Sequence, residues 1–502
     1  MICVRREWNI RRKAGIVIAK EIPVKPLDSI RHLPVTQESY PMNALAHTVK
    51  ATDIASFGYL EEEYLIKGKA KVYTWPKEQC FADVELENAP YATRILVRKP
   101  SDPNRFSGNV VIEMFNWARN YDRTIDAWGN CYEYLTDSGD VWIGVTCRAS
   151  VLEHLKQFDH DRYGELSFSN PRPKETWSDR PQANPFHDIV SDPSTENGLI
   201  FDMFSQVAML VRENDPRNPL YGYEVKKVIG TSALPGDIST YVAAVDPVSC
   251  RPDGKPIYDG FLIFMTGAPG GVNQYEAKVE PEDPRCKFYA KVPFIRVYTC
   301  GDMLGVGHHP DWAVLQRHED ADGPERFFRS YEIPGPNLFL SFVRDSEPKR
   351  EDLAKAGIQL RPGRVGGNWS AAELQTTEFP TRYPLAAAFE NLKQWIGGVT
   401  PPPSMLMEME GAYPDITFRC DEYGNVKGGV RTPYLDVPAY YFDFQSEATR
   451  LDEKTLKALY PTHDDYVDKV TRSAQKCVEE RTLLQKDAEK IIAEAKATNI
   501  PC

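Results

Sequence analysis

The amino-acid sequence predicts an α/β protein with a doubly wound, mostly parallel sheet. The run Asn109–Phe115 is almost continuously apolar, as expected for a strand that is buried on both faces. A helix-like stretch, Thr124–Leu135, separates it from a second apolar run, Val141–Thr146, which makes a strand–helix–strand unit. Because the functional site of such a sheet lies at the carboxyl ends of its strands, candidate residues are sought there.

Further apolar segments extend this sheet and alternate with helical segments. Strands are predicted at Val225–Ile229, Gly260–Met265, Pro293–Thr299 and Phe328–Ile333, and helices at Gly198–Arg212 and Ile238–Val245.

Composition divides the chain into three parts. Residues 1–100 carry short β-rich runs broken by proline and glycine, which predicts an antiparallel meander. Residues 101–400 carry the α/β core, and an irregular segment at about 156–196, rich in Pro, Asp and Asn, is typical of a lid over a pocket. Residues 401–502 begin at a triple proline and are expected to end in one long amphipathic helix, about Asp464–Ala495, packed on the core.

Charge and hydropathy exclude several kinds of partner. The 502 residues carry a formal net charge of −12, and no basic face interleaved with aromatic residues offsets it, so we expect no nucleic-acid partner. The apolar runs are too short to cross a bilayer, so we expect no membrane association. The N-terminus lacks the apolar core of a secretory signal and the ten cysteines form no C-x-x-C pair, which favours a cytoplasmic protein with reduced thiols. The oligomeric state is open, and a homo-oligomer is among the options.

The segment at residues 228–236 lies between a predicted strand and a helix, where a strained turn can present a catalytic side chain. Such a turn needs small residues two positions before and after its apex, because the backbone is crowded there. With Ser232 at the apex the flanking residues are Gly230 and Leu234, and the leucine is too large. With Leu234 at the apex they are Ser232 and Gly236, which fit. The spacing therefore predicts a leucine at the apex, and a leucine cannot act as a nucleophile.

Together with this turn, separate segments from about Tyr59 to the C-terminus match one family in order. They are Val110–Asn116, Val141–Thr146, Lys156–Tyr163, Asp259–Leu262, Tyr423–Pro433 and the tail with Tyr466-Val467 and Asp487-Ala488. On these segments the chain resembles an α/β-hydrolase-domain family whose members carry a Gly-x-Ser-x-Ser-Gly-Gly turn. The resemblance implies the α/β-hydrolase fold.

The resemblance also indicates which residues occupy the family's catalytic positions. The nucleophilic serine falls on Leu234 and the histidine on Leu338. The acid region retains Asp302, with Cys300 in place of a glutamate, and Asn116 falls where the family forms its oxyanion hole. Loss of one member of a Ser-His-acid triad typically costs thousands-fold or more in rate, so ordinary hydrolysis by this triad is disfavoured.

We therefore predict an enzyme of small-molecule, secondary metabolism that uses this scaffold without a cofactor for a non-hydrolytic step: a cyclisation, isomerisation or elimination of an apolar substrate. Asp302 is the predicted acid/base, Asn116 the polarising donor, and Leu234 and Leu338 the apolar wall. The other predicted substrate contacts are Trp117, Cys300, Thr231 and Pro235.

Two other classes of protein remain open. A serine esterase or lactonase would use Ser232 as nucleophile with His308 or His309 as base. A non-catalytic ligand-binding protein would need none of these residues. A metal site at the two histidines is not expected, because neighbours on a strand point in opposite directions and no third ligand is evident.

Overall fold

The computed structural model describes most of the chain. The described residues are 11–13, 16–18, 20–124, 127–178, 192–232, 237–264, 269–276, 279–280, 283–304, 317–335, 345–360, 364–365, 369–370, 379–411, 416–442 and 448–501.

A ten-stranded sheet forms the centre of the fold. In chain order its strands are β1 (Ser29–Leu33), β2 (Tyr59–Thr74), β3 (Asp83–Pro100), β4 (Asn109–Met114), β5 (Val141–Val145), β6 (Lys227–Ser232), β7 (Gly260–Phe264), β8 (Phe294–Thr299), β9 (Ala321–Gly323) and β10 (Arg326–Ile333). Their spatial order is β9-β10-β8-β7-β6-β4-β5-β3-β2-β1. The six strands from β10 to β5 in this order are parallel to one another, so their carboxyl ends share one edge of the sheet. The predicted α/β fold class is confirmed.

Helices connect and cover the strands. They are α1 (Ala127–Ser138), α2 (Ala149–Phe158), α3 (His160–Tyr163), α4 (Leu199–Leu210), α5 (Asp237–Thr240), α6 (Cys300–Leu304), α7 (Arg350–Lys355), α8 (Arg382–Ile396), α9 (Pro433–Asp436), α10 (Glu453–Leu459), α11 (His463–Glu479) and α12 (Gln485–Ala497). A turn of π-helix at Tyr241–Val245 continues α5.

The central strands bury both faces, as their apolar runs predicted. Successive side chains of a strand point to opposite faces, and in β4 Val110 and Ile112 join one hydrophobic cluster while Val111 joins the other. The first cluster includes residues of α2 and α4, and the second includes Trp128 of α1 and Phe389 of α8. The sheet is therefore held between two apolar layers, and its carboxyl edge is left for the connecting loops.

The predicted N-terminal meander is present as the antiparallel strands β1, β2 and β3. Because β3 also pairs with β5, the meander continues the core sheet without a break.

The C-terminal helix differs from the prediction, because the structure has two helices, α11 and α12, where the sequence predicted one. Arg481, between them, has a left-handed φ of 60°. The next two backbone N–H groups, of Thr482 and Leu483, both donate to the carbonyl of Cys477, at 2.8 and 3.2 Å. These bonds cap the end of α11 and turn the chain. The pair nevertheless packs on the core: Asn391 Nδ2 donates to the carbonyl of Arg481 at 2.9 Å.

Within the predicted lid, the described residues form the short helix α3 and a single 3-10 turn at Lys174–Thr176, and residues 179–191 lie outside the described part. The eight cysteines of the described ranges are free thiols. None of the described helices is both long and apolar enough to cross a membrane.

Candidate active site

Five of the predicted site residues, Leu234, Pro235, His308, His309 and Leu338, lie outside the described residues. The predicted leucine wall and the alternative histidine bases therefore stay predictions. The other six predicted residues are placed at or near the carboxyl edge of the sheet.

Two strand ends define the distance across this edge. Ser232 ends β6 and Thr299 ends β8, and β7 lies between these strands. Neighbouring strands are about 4.8 Å apart, so β6 and β8 are about 10 Å apart across the sheet. Through Ile263, Ser232 is level with Arg296, so Thr299 also lies three residues, about 10 Å, further along its strand. The structure thus holds Ser232 and the Asp302 region apart, with β7 between their strands and with Thr299 further along the strand direction.

Ser232 and Thr231 are part of the strand β6 itself. Both are buried, and Ser232 Oγ donates to the carbonyl of Met114, the last residue of β4, at 3.1 Å. Thr231 Oγ1 has no hydrogen-bond partner among the described residues. The Ser232 hydroxyl therefore ties the ends of two strands together, as expected of a structural serine.

Asp302 lies in the first turn of α6, directly after β8, and forms a reciprocal cap with Thr299. Asp302 Oδ2 accepts the backbone N–H of Thr299 at 2.6 Å and the Thr299 hydroxyl at 2.7 Å. In return, the backbone N–H of Asp302 donates to Thr299 Oγ1 at 3.4 Å. This is the pairing of a capping box, which satisfies N–H groups that the start of a helix would otherwise leave exposed. One oxygen of Asp302 thus has a structural role.

The other oxygen of Asp302 has a different environment. Oδ1 is buried and has no hydrogen-bond partner within the described ranges. Burial raises the pKa of Asp302 from 3.8 to about 7, although the two bonds from Thr299 act in the opposite direction. Near neutral pH the carboxyl is therefore divided between its protonated and ionised forms, which suits a group that both gives and takes a proton.

Cys300 connects the end of β8 to the turn after β10. Its thiol donates to Met407 Sδ at 3.4 Å, and its sulfur accepts the backbone N–H of Gly335 at 3.3 Å. Gly335 has a φ of 103°, and a Cβ there would meet the Phe379 ring at 2.8 Å, so this turn needs glycine. Burial raises the pKa of the thiol, which stays neutral and packed. Its predicted contact with substrate stays a prediction.

Asn116 follows β4 and begins a narrow loop. Its backbone N–H donates to the carbonyl of Arg123 at 3.1 Å, and the Arg123 N–H donates to the Asn116 carbonyl at 2.9 Å. The side-chain oxygen, Oδ1, accepts the N–H of Ala118 at 3.1 Å and Arg123 Nη1 at 3.4 Å. These bonds fix the orientation of the Asn116 amide, and its role as a polarising donor stays a prediction.

Trp117 joins a polar cluster that the sequence did not indicate. Trp117 Nε1 donates to Asp237 Oδ2 at 2.6 Å, and Arg148 Nε donates to the same oxygen at 3.2 Å. The Arg148 guanidinium also lies 4.6 Å from the centre of the Trp117 ring. Asp237 begins α5 directly after the predicted apex, where a carboxylate is favoured by the helix dipole. That position is a weak signal for Asp237, but nothing in the sequence links it to Arg148.

The cluster of Trp117, Arg148 and Asp237 joins three neighbouring strand ends. Trp117 follows β4, Arg148 follows β5 and Asp237 follows β6. The ion pair is nearly buried, with the side chains 11% and 9% exposed. It therefore holds the start of α5 against the segments that follow β4 and β5. Elsewhere at this edge, and throughout the described part of the chain, no group of three or more His, Cys, Asp or Glu is placed to hold a metal ion.

The order and the direction of the strands are those of an α/β-hydrolase fold. The sequence matches the family described as "Alpha/beta hydrolase domain" over residues 24–493, and the chain belongs to that family. A comparison with curated proteins found no match.

Solved structures that are similar to part of this chain include several hydrolases. Esterase Est22 is 12% identical, with a TM-score of 0.32, over 62% of this chain and 82% of that one. Carboxylesterase Cest-2923 from Lactobacillus plantarum WCFS1 is 10% identical, with a TM-score of 0.33, over 62% and 96%. An S-formylglutathione hydrolase from Agrobacterium tumefaciens is 8% identical, with a TM-score of 0.27, over 55% and 87%.

Proposed function

We propose that this member of the α/β-hydrolase family is an enzyme of small-molecule metabolism that catalyses a non-hydrolytic proton transfer, as in a cyclisation, isomerisation or elimination, on an apolar substrate. The observation that carries the proposal is the Asp302 carboxyl. It is buried, and Oδ1 has no partner within the described residues. The family resemblance assigns this residue as the acid.

The proposed reaction uses one acid/base and one polarising donor. Ionised Asp302 takes a proton from the substrate, the Asn116 amide N–H donates to the oxygen that becomes negative, and protonated Asp302 returns the proton where the product needs it. No covalent bond to the enzyme is required. Leucines at the family's nucleophile and histidine positions support an apolar substrate.

The same residues weigh against the esterase alternative with Ser232 as nucleophile. Ser232 belongs to β6, and its hydroxyl donates to the Met114 carbonyl. A nucleophile needs a base at its hydroxyl, whereas this bond is made to a backbone acceptor. Ester hydrolysis is therefore an outcome to be tested beside the proposed proton transfer.

The probe for proton transfer is 5-nitrobenzisoxazole, which is apolar. Removal of its C–H proton by a base breaks the N–O bond and releases a coloured phenolate, so the reaction is an elimination without hydrolysis. Asp302→Asn keeps the shape of the side chain and removes the base. A matched control is Asp246→Asn, because burial raises the pKa of Asp246 to about 7 as well, but Asp246 lies beyond the far end of the helix that starts at the site.

We expect the wild type to accelerate the elimination, Asp302→Asn to lower the rate by about a hundredfold, and Asp246→Asn to leave the rate unchanged. Equal rates for wild type and Asp302→Asn would contradict the proposal. Hydrolysis of p-nitrophenyl butyrate that disappears in Ser232→Ala would assign the esterase function instead.

A further inference from the structure

Glu347 is a buried carboxylate in the segment that follows β10, and its two oxygens bind the loop that follows β4. Oε1 accepts Arg123 Nε at 2.7 Å and Oε2 accepts the Tyr121 hydroxyl at 2.7 Å. Burial beside Glu347 raises the pKa of Tyr121, so this hydroxyl keeps its proton and remains a donor. Both bonds to the carboxylate are charge-assisted, and such bonds are short and strong.

Glu347 is itself held in place by the N-terminal segment. Its backbone carbonyl accepts the N–H of Val49 at 2.7 Å, and the next residue, Pro348, bridges to Thr48. The Glu347 carboxylate therefore has a fixed position, and the loop after β4 is bound to it.

Arg123 connects Glu347 to Asn116. Its guanidinium uses Nε for Glu347 and Nη1 for Asn116 Oδ1, at 2.7 and 3.4 Å. The guanidinium is planar, so bonds from two of its nitrogens fix the direction of the plane, which a lysine ammonium cannot do. The backbone bonds between Arg123 and Asn116 close the loop at the same point.

We propose that Glu347 is a positioning residue, which holds Arg123 and through it the side-chain amide of Asn116, the proposed polarising donor. The inference rests on the proposed function, since it assigns Asn116 as the donor in that reaction. Without the Glu347 charge, the buried Arg123 loses its compensating carboxylate and the loop must rearrange.

Two variants, one at Glu347 and one at Arg123, test the positioning role of Glu347. Glu347→Gln keeps the size of the side chain and removes its charge. Arg123→Lys keeps a positive charge near Glu347 but cannot reach both Glu347 and Asn116. The matched control is Asp140→Asn, because Asp140 is also a buried carboxylate that pairs with a buried cation, Lys393, but precedes β5 and so lies at the opposite edge of the sheet.

With 5-nitrobenzisoxazole, we expect kcat to fall about tenfold in Glu347→Gln and in Arg123→Lys, with KM unchanged, because the donor acts on charge that develops in the transition state. Asn116→Ala should lower kcat similarly, and Asn116→Ala with Glu347→Gln should be no slower than Asn116→Ala alone. When two residues act through one another, the effects of their substitutions on kcat do not add, whereas the effects of a general loss of stability would add. Asp140→Asn should leave kcat unchanged.

Hydrogen exchange of the Asn116 and Arg123 backbone amides provides a readout independent of turnover. Faster exchange at these amides in Glu347→Gln, but not in Asp140→Asn, supports the positioning role even if Asp302→Asn shows that the proposed reaction is wrong. Unchanged exchange together with additive losses in kcat would overturn the positioning role, even if Asp302→Asn confirms the reaction.

Discussion

Thr299 and Asp302 hold each other at the carboxyl end of β8: the Thr299 hydroxyl and backbone N–H both donate to one Asp302 oxygen, at 2.7 and 2.6 Å. Burial raises the pKa of Asp302 to about 7, and these two bonds lower it. The pKa of the proposed acid/base therefore depends on a neighbour that does not take part in the chemistry.

Thr299→Val should raise the pKa of Asp302 further, because the hydroxyl bond that stabilises the ionised form is lost. The midpoint of the pH–rate profile with 5-nitrobenzisoxazole should move upward by roughly half to one pH unit. Thr299→Ser retains the hydroxyl and should keep the wild-type midpoint. A downward movement in Thr299→Val would mean that another group sets the profile.

Asp302→Asn should make folding stability less sensitive to pH. The folded-state pKa of about 7 lies above the ordinary 3.8, so the folded protein holds this proton more tightly than the unfolded chain does. The contribution of Asp302 is fully present below about pH 4 and is lost as pH rises to about 7, a change of about 4 kcal/mol at one pKa unit per 1.36 kcal/mol. In urea unfolding, the stability of the variant relative to wild type should rise across this range. Asp246 contributes equally to both proteins, and a constant difference would contradict the raised pKa.

Ser232→Ala should have no effect on ester hydrolysis, because the wild type should hydrolyse p-nitrophenyl acetate negligibly above the buffer rate. The variant loses the donor to the buried Met114 carbonyl and should be less stable by about 1 kcal/mol. Release of nitrophenolate measures ester hydrolysis, and the midpoint of denaturation measures the change in stability. Turnover at ordinary hydrolase rates in the wild type, abolished in Ser232→Ala, would show that Ser232 is a nucleophile.

Leu234→Ser combined with Leu338→His should create ester hydrolysis, if these leucines occupy the nucleophile and histidine positions of the family. A serine without its base, or a histidine without its nucleophile, gains little, because the triad acts as a unit. The double variant should therefore hydrolyse p-nitrophenyl butyrate at least about tenfold faster than either single variant. Equal rates in all three variants would contradict the assignment of these positions.

Asp237→Asn should destabilise the protein strongly, because it leaves the nearly buried Arg148 without its carboxylate. The expected loss is about 3 kcal/mol, as for other broken buried pairs. Asp215→Asn is the control: Asp215 and Arg217 form a surface pair, which solvent screens, so a much smaller loss is expected. Similar losses in the two variants, measured by urea unfolding, would mean that the Arg148 pair does not brace the site.

The fold could be predicted because its signals are local. The apolar run of β4 and the alternation of helices and strands depend on residues that are close in sequence, and the structure confirms them. The sequence did not predict the break between α11 and α12, because the break depends on the left-handed φ of Arg481 and an arginine does not indicate this conformation. Spacing indicated a leucine at the predicted apex, and the family resemblance indicated the carboxylate of Asp302.

The sequence by itself determined the fold class and the family, and the family resemblance predicted which residues stand at the family's catalytic positions. Only the tertiary structure decided the environment of those residues: that Asp302 keeps one oxygen without a partner among the described residues, that Asp237 pairs with Arg148, and that Glu347 holds Arg123. The partners in the last two pairs are separated by 89 and 224 residues in the chain. Charge pairing and burial depend on how close two residues lie in the folded structure. For residues that are far apart in the chain, this distance is set by the packing of the whole sheet, and a local sequence pattern does not reveal it.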